Sequence, residues 1–466
     1  MPLAAQENPA DENVIVVSAN RLPGQLDVES APVDTLEAAD IQAIGATSIA
    51  DLLAAIAPQT GSARGRGGGG GQPIFLVNGI RIGSPREFRS YPPEAIEKVE
   101  VFPEEVAQRF GFAPDRRVVN FVLKNNFSSR EAEVEFEMPD RGGYSRTEQE
   151  LSLLRIANGG RLNLGVELSD VSLLTEAERG VIQPDSPAPR LSTDPDPAAY
   201  RSLVPDTFSL EASANWAKSF IDSGSSVSLN ATFDRAESRS LSGLDTVVLA
   251  GPGGSLLRSL NRADPLERRS KTDTYATAGS YTRPVSAFQF TVTFDASLAD
   301  TATEIERRAD TSALVAAAAA GRLPLDRPFL VTPDAGFDLA RSKVYDATAL
   351  LTARGSPLFL PGGELSTTFD LGYDWTRIES DDTRSGTAAQ LTRGDLSGGL
   401  NLSVPITSRR EGFLDAAGDI TLSGQVGFNH LSDFGTLYDW SGGLRWSPLE
   451  WLELQATYTG ARWHPA

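Results

Sequence analysis

The sequence predicts a small α+β domain followed by antiparallel transmembrane β-barrel strands, with the barrel incomplete in this chain. Three observations carry that prediction. Residues 37–57 hold apolar side chains at helical spacing, ahead of short apolar runs that read as strands. From about residue 129 the pattern becomes strict alternation, in about 13 segments of roughly 9 to 15 residues. The connections between those segments alternate between tight turns and long polar loops.

Residues 1–30 are polar and punctuated by Pro and Gly, with one apolar island at Val14-Ile15-Val16-Val17. A short β-prone island in a flexible tail suits pairing with a partner's sheet edge; the alternative is a strand of the following domain. Pro2-Leu3-Ala4-Ala5-Gln6 reads either as the small-residue end of a secretory signal or as an ordinary flexible start. In EAADIQAIGATSIADLLAAIA (37–57), Ile41, Ile44, Ile49, Leu52, Leu53 and Ile56 recur at three and four. Thr47 or Ser48 is placed to cap a second helix after Gly45, and Pro58 to stop it. Then comes GRGGGGGQPIFLVNGIRIG, Gly65 to Gly83. It gives a loop, a buried strand at 74–77 and the hairpin turn signal Asn78-Gly79. PPEAIEKVEVF and VVNFVLKNN (118–126) supply further strands of a mixed domain of roughly 100 residues. Gly65, Gly67 and Gly70 satisfy G-x-G-x-x-G, but the order here is helix, loop, strand. A phosphate cradle needs strand, loop, helix, so that the helix N-terminus meets the anion.

The second half alternates in AEVEFEM (132–138), VSLNATF (227–233), FQFTVTFDASL (288–298), LSTTFDLGYDW (365–375) and LELQAT (452–457). A soluble β-sandwich alternates too. The connection rhythm separates the two: 157–160, 222–225, 283–286 and 447–450 are tight, whereas 171–206, 236–271 and 300–341 are long. Short turns on one side and long loops on the other is the outer-membrane pattern. Against it, 355–363 and 404–417 are longer than a tight turn, and 139–143 is short. All six Trp lie in this half. Trp446 and Trp451 flank one turn, and Trp216, Trp375 and Trp440 fall toward strand ends, as interfacial girdles require.

Composition excludes several functions. The 466 residues contain no Cys and two His, His430 and His464, which argues against disulfides, thiolate chemistry and a His-rich metal site. A formal charge of −20 argues against nucleic acid. No G-x-S-x-G elbow occurs, and the abundant carboxylates point to no glycosidase pair. The expectation is no enzyme, no catalytic residues, no metal and no cofactor.

Taken in order, several segments resemble the TonB-dependent outer-membrane receptors. ENVIVVSANR resembles a Ton box, IQAIGATSIADLLAAI the opening helices of the plug, and GQPIFLVNGIRI its next strand and turn. PPEAIEKVEVF and RFGFAPDRRVVNFVLKNN resemble its closing strands, and GLRWSPLEWLELQATYTGAR a piece of the barrel. The departures are Asn78 for the usual turn Asp, Pro103-Glu104-Glu105 for the usual Arg-Gly-Pro, and Phe110-Gly111 for Tyr-Gly.

The resemblance implies three parts: a tail with the Ton box at 1–30, a plug at 31–126 and a partial barrel at 127–466. It implies a bacterial outer-membrane receptor that imports an extracellular ligand with energy from TonB. Outer-membrane lipid and lipopolysaccharide would surround it. Val14, Ile15, Val16, Val17 and Ser18 would pair with TonB. Loops 60–72 and 82–91 would meet the ligand, through Arg64, Arg66, Arg86, Phe88, Arg89 and Tyr91. Cationic and aromatic groups suit a small anionic or iron-chelate ligand, a ferric siderophore foremost. About 13 strands fall short of the family's roughly 22, so the chain reads as the front of a longer receptor. A remnant that binds ligand or TonB without transport, and a surface β-sandwich adhesin, are the alternatives.

Overall fold

The computed structural model describes residues 22, 24–26, 28, 30–46, 49–61, 73–82, 91–110, 112, 116–181, 188–220, 223–261, 264–327, 330–449 and 451–465. The front domain comprises β1 (Asp34–Glu37), α1 (Ala38–Ile44), α2 (Ile49–Ala55), α3 (Ala57–Thr60), β2 (Ile74–Val77), β3 (Ile80–Arg81), β4 (Ile96–Phe102) and β5 (Val118–Leu123). Its sheet runs β1-β4-β5-β2-β3, with β2 and β5 parallel.

Local chemistry sets the helices. A capping box between Glu37 and Asp40 starts α1, where the Glu37 N–H donates to Asp40 Oδ2 at 2.9 Å. Gly45 ends α1 in the left-handed region at φ 69°, where a side chain would be strained. Pro58 does not stop a helix as the sequence suggests. It occupies the first turn of α3, where a missing N–H costs nothing. Ile41, Ile49, Leu52 and Ile56 bury against Val99, Val101 and Phe121 of the sheet. Ile44, expected on that face, is exposed because α1 ends beside it, and Leu53 is only partly buried. On the other sheet face, Leu76, Phe102 and Val118 pack with Val106 and Phe110 of a 3-10 turn, Glu104–Phe110.

The second region comprises β6 (Phe127–Glu137), β7 (Arg146–Ala157), β8 (Gly160–Val171), β9 (Leu174–Thr175), α4 (Glu176–Arg179), β10 (Ser202–Val204), β11 (Asp206–Phe220), β12 (Ser225–Leu244), β13 (Thr246–Gly251), β14 (Gly254–Ser259) and β15 (Pro265–Val285). It continues with β16 (Phe288–Glu306), α5 (Ser312–Ala319), β17 (Phe337–Leu360), β18 (Gly363–Asp382), β19 (Thr387–Thr407), β20 (Asp419–Leu431), β21 (Gly435–Leu449) and β22 (Leu452–Pro465). Thirteen of these strands form one antiparallel sheet in chain order from β6 to β22, with β9, β10, β13 and β14 set apart. Leu154 and Ile156 of β7 join the front-domain core, and Gln455 of β22 donates to Glu105 at 3.0 Å. The sheet therefore wraps the front domain from both ends of the strand order. Among the described residues no helix is long and apolar enough to cross a membrane.

The sheet is inside out relative to a soluble one. On β18, Phe369, Leu371 and Tyr373 are exposed on the outer face, while Thr368 on the opposite face is buried. On β16, Phe290, Val292 and Phe294 are exposed and Thr293 is buried. Such a band suits hydrocarbon outside and water or protein inside. Trp375 and Trp440 lie within their strands, not at the ends. Beyond Trp375 the same face carries Arg377, Glu379 and Asp381, so the Trp ends the apolar row while the strand runs on.

That continuation revises the expected loops. Residues 236–271 are largely strand, since β12 reaches Leu244 and β15 begins at Pro265, and the expected loop 300–341 shortens at both ends, since β16 reaches Glu306 and β17 begins at Phe337. The 355–363 connection is tight after all. A bulge between Gly355 and Leu358 is followed by pairing to Leu360↔Gly363. Asn158-Gly159, at φ 52° and 69°, makes the tight turn between β7 and β8. On the far side, the connections β12–β15 and β16–β17 share a small apolar core of Val247, Leu249, Leu260 and Ala318. Arg258 ties the β8–β11 connection to them, donating to Asp194 at 2.9 and 3.0 Å and to the carbonyls of Leu325 and Arg327.

Candidate functional site at the domain interface

The front domain meets the wall through the β2–β3 hairpin. Asn78 and Gly79 adopt φ 52° and 74°, the primed turn that an Asn-Gly pair supplies without strain. The turn is held from below: the Gly79 N–H donates to Asn120 Oδ1 and the Leu123 N–H to Asn78 Oδ1, each at 2.8 Å. It aims Arg81 at the wall.

Arg81 is 5% exposed. Its Nη1 donates to the Phe110 carbonyl at 2.8 Å and to Thr352 Oγ1 of β17 at 3.1 Å. Its Nη2 donates to Thr293 Oγ1 of β16 at 2.9 Å and to the Leu350 carbonyl at 3.3 Å. Burial pushes its pKa down to about 10, with Asp370 opposing that shift. The guanidinium is therefore still charged at neutral pH, and the low-dielectric setting strengthens its bonds. Beside it, Arg354 donates to Gln289 Oε1 at 2.9 Å and lies 5.1 Å from the centre of the Phe110 ring. A cavity opens between this hairpin and the inner faces of β17 to β21, lined by Arg81, Phe112, Arg116, Asp370 and Asp439 among others.

A second polar cluster ties the incoming tail to the same hairpin. Glu100 and Asn120 are buried. Gln25 donates to Glu100 Oε1 at 2.8 Å, and Asn120 Nδ2 donates to Glu100 Oε2 and to the Gly24 carbonyl at 2.9 Å each. Since Asn120 also accepts from Gly79, residues 24–26 connect through two side chains to the hairpin that carries Arg81.

Val14, Ile15, Val16, Val17 and Ser18 lie outside the described residues, as do Arg64, Arg66, Arg86, Phe88 and Arg89. Tyr91 is 2% exposed and belongs to the front-domain core, packed with Ile82 and Ala95, so its ring is scaffold, not a ligand-facing group. Sequence reasoning passed over Arg81, Glu100, Asn120 and Asp370. Arg81 carried one available signal: a charged residue alternating with Ile80 and Ile82, directly after a hairpin turn.

Residues 27–111 match the family model described as TonB-dependent Receptor Plug Domain. No curated protein matches the sequence. Among solved structures, a mutant of the ferric enterobactin receptor PfeA from Pseudomonas aeruginosa shares 14% identity at TM-score 0.44, covering 92% of this chain and 62% of that one. The RagAB peptide importer in its open-open state shares 10% at TM-score 0.49, covering 93% and 60%. The siderophore receptor PirA from Acinetobacter baumannii shares 15% at TM-score 0.43, covering 92% and 61%. The chain thus spans less than two thirds of their length.

Proposed function

We propose that this chain, a TonB-dependent receptor by its plug domain and the antiparallel strands that follow, imports an extracellular ligand across the bacterial outer membrane. The observation that supports this most is the family match over 27–111 in a domain enclosed by a sheet with an apolar outer face. Ligand binds above the front domain, with Arg64, Arg66, Arg86, Phe88 and Arg89 as its contacts. Their charge suits an anionic ligand, a ferric siderophore in the first instance. Val14 to Ser18 add a strand to TonB by backbone pairing. A pull on the tail reaches the hairpin through Glu100 and Asn120, and loosens the Arg81 anchor so that ligand passes. Lipid and lipopolysaccharide surround the outer face. No enzymatic step is involved.

Two variants test the two halves of this reading. Deleting residues 13–18 abolishes uptake of a radiolabelled ferric siderophore by whole cells and leaves its surface binding nearly unchanged; undiminished uptake sinks the Ton-box assignment. Replacing Arg64, Arg66, Arg86 and Arg89 together by Gln weakens binding of that siderophore at least about tenfold, roughly the loss of 1.4 kcal/mol. An unchanged affinity removes these arginines from the ligand site.

A further inference from the structure

Two guanidinium groups converge where the front domain touches the wall, and neither meets a carboxylate. Arg81 directs its terminal nitrogens at neutral acceptors, the carbonyls of Phe110 and Leu350 and the hydroxyls of Thr352 and Thr293. Its Nε–H is buried and has no hydrogen-bond partner among the described residues. Arg354 of β17 directs both Nε and Nη2 at one oxygen, Gln289 Oε1, at 2.9 and 2.5 Å. Among the described residues its Nη1 donates to nothing. Arg109 stands close enough to Arg354 to repel it. Asp370 offsets part of the Arg81 charge from a distance, but its hydrogen bond comes from Asn401 and from neither arginine.

Arg81, Arg109 and Arg354 line one small cavity between the β2–β3 hairpin and the inner faces of β15 to β17. It leaves about 20 Å³ for the centre of a water-sized particle, enough for one. The rest of its polar lining is also rich in donors. Thr352 already accepts from Arg81, so its hydroxyl proton is left to give. Gln289 has committed its amide oxygen to Arg354, which leaves its NH2 hydrogens. A water here finds donors for its lone pairs but hardly an acceptor for its own protons, and it leaves the charge uncompensated. Buried like charges without a counter-ion are costly. A small anion accepts from every one of these donors, by the charge-assisted bonds that are the strong ones.

We propose that a small monovalent anion, chloride in the first instance, sits between Arg81 and Arg354 and latches the front domain to the wall. The cavity sets the size: one particle close to water in radius fits, and a sulfate or an organic carboxylate does not. Arg81 comes from the hairpin and Arg354 from β17, so the ion bridges the boundary between the two parts of the molecule. Its loss leaves two like charges facing each other there, a push toward separation.

The test titrates the detergent-solubilised full chain with NaCl at constant ionic strength, sodium gluconate making up the balance, and reads hydrogen exchange at the Ile80 and Arg81 amides. A saturable slowing is expected with chloride, and none with sodium sulfate at the same ionic strength. Arg354→Gln should shift the chloride midpoint upward at least about tenfold. Arg410→Gln, on an exposed turn, should titrate as the parent does, and circular dichroism should show each variant folded. Crystals of the parent protein in NaBr should show an anomalous bromide peak between the two guanidinium groups, which needs no variant. No chloride dependence, an equal effect of sulfate, a parental midpoint in Arg354→Gln, or no bromide between the arginines overturns the proposal. The measurement needs neither TonB nor transported ligand, so its failure leaves the importer reading standing.

Discussion

The front domain and the sheet around it use the same alternation for opposite solvents. In β5 both faces are apolar or buried, because helices cover one side and the Glu104–Phe110 turn covers the other. In β16 the apolar residues Phe290, Val292 and Phe294 face outward, and Thr291 and Thr293 face in. The first strand is stabilised by removing apolar surface from water into protein. The second is stabilised only if its surroundings are themselves apolar. Amphipathic period alone cannot tell these apart; what distinguishes them is which face meets the rest of the chain.

The largest effect expected of this contrast is in the front domain. Leu76 is fully buried between β5 and the Glu104–Phe110 turn. Leu76→Ala should destabilise that domain by about 2–5 kcal/mol, through lost transfer energy and the cavity left behind. Hydrogen exchange should rise in β2 and β5 and leave β16 to β18 unchanged. Equal loosening of both regions would mean that they fold as one cooperative unit. The next effect is on the outer face. Val292 pairs with Leu351, and both are exposed. In water Val292→Arg would lie within about 0.5 kcal/mol of neutral, as surface changes usually do. Against hydrocarbon it should cost about 2–4 kcal/mol. Refolding titrations into lipid vesicles measure the difference. A neutral result would assign the outer face to water and favour a sandwich.

The sequence made the outer band legible because alternation over Phe288 to Leu298 or Leu365 to Trp375 needs no tertiary information. Strand ends were not legible. Beyond the apolar outer band both faces become mostly polar, so periodicity fades while backbone pairing continues, as in Arg377 to Asp382. Pro58 was misread because a helix stop and a helix start use the same residue, and the difference lies in which side continues. Tyr91 looked like a binding aromatic because its burial depends on Ile82 and Ala95, which only the fold brings to it. The interface polar groups were hidden for the same reason. Arg81 meets Thr293 and Thr352 across more than two hundred residues of chain. Arg81 and Arg354 come together only where the hairpin meets β17.

The smallest expected effect bears on a buried polar cluster inside the front domain, around Glu100 and Asn120. Glu100 accepts from Gln25 and Asn120 while shielded from water. Glu100→Gln preserves size but replaces one acceptor oxygen with a donor, so one of those two amides loses its partner. A net loss of about 0.5–1.5 kcal/mol follows, at the scale of a single hydrogen bond. Because Ile41, Leu52 and Phe121 are untouched, the domain should keep its unfolding temperature within a few degrees. The change should instead appear locally, as faster hydrogen exchange at residues 24–26. If those amides exchange as before, the tail is held by something other than this carboxylate, and the path from tail to Arg81 through Asn120 loses its first link. If they exchange faster, and Gly79 with them, the tail and the hairpin are coupled through the buried polar cluster rather than through the apolar core.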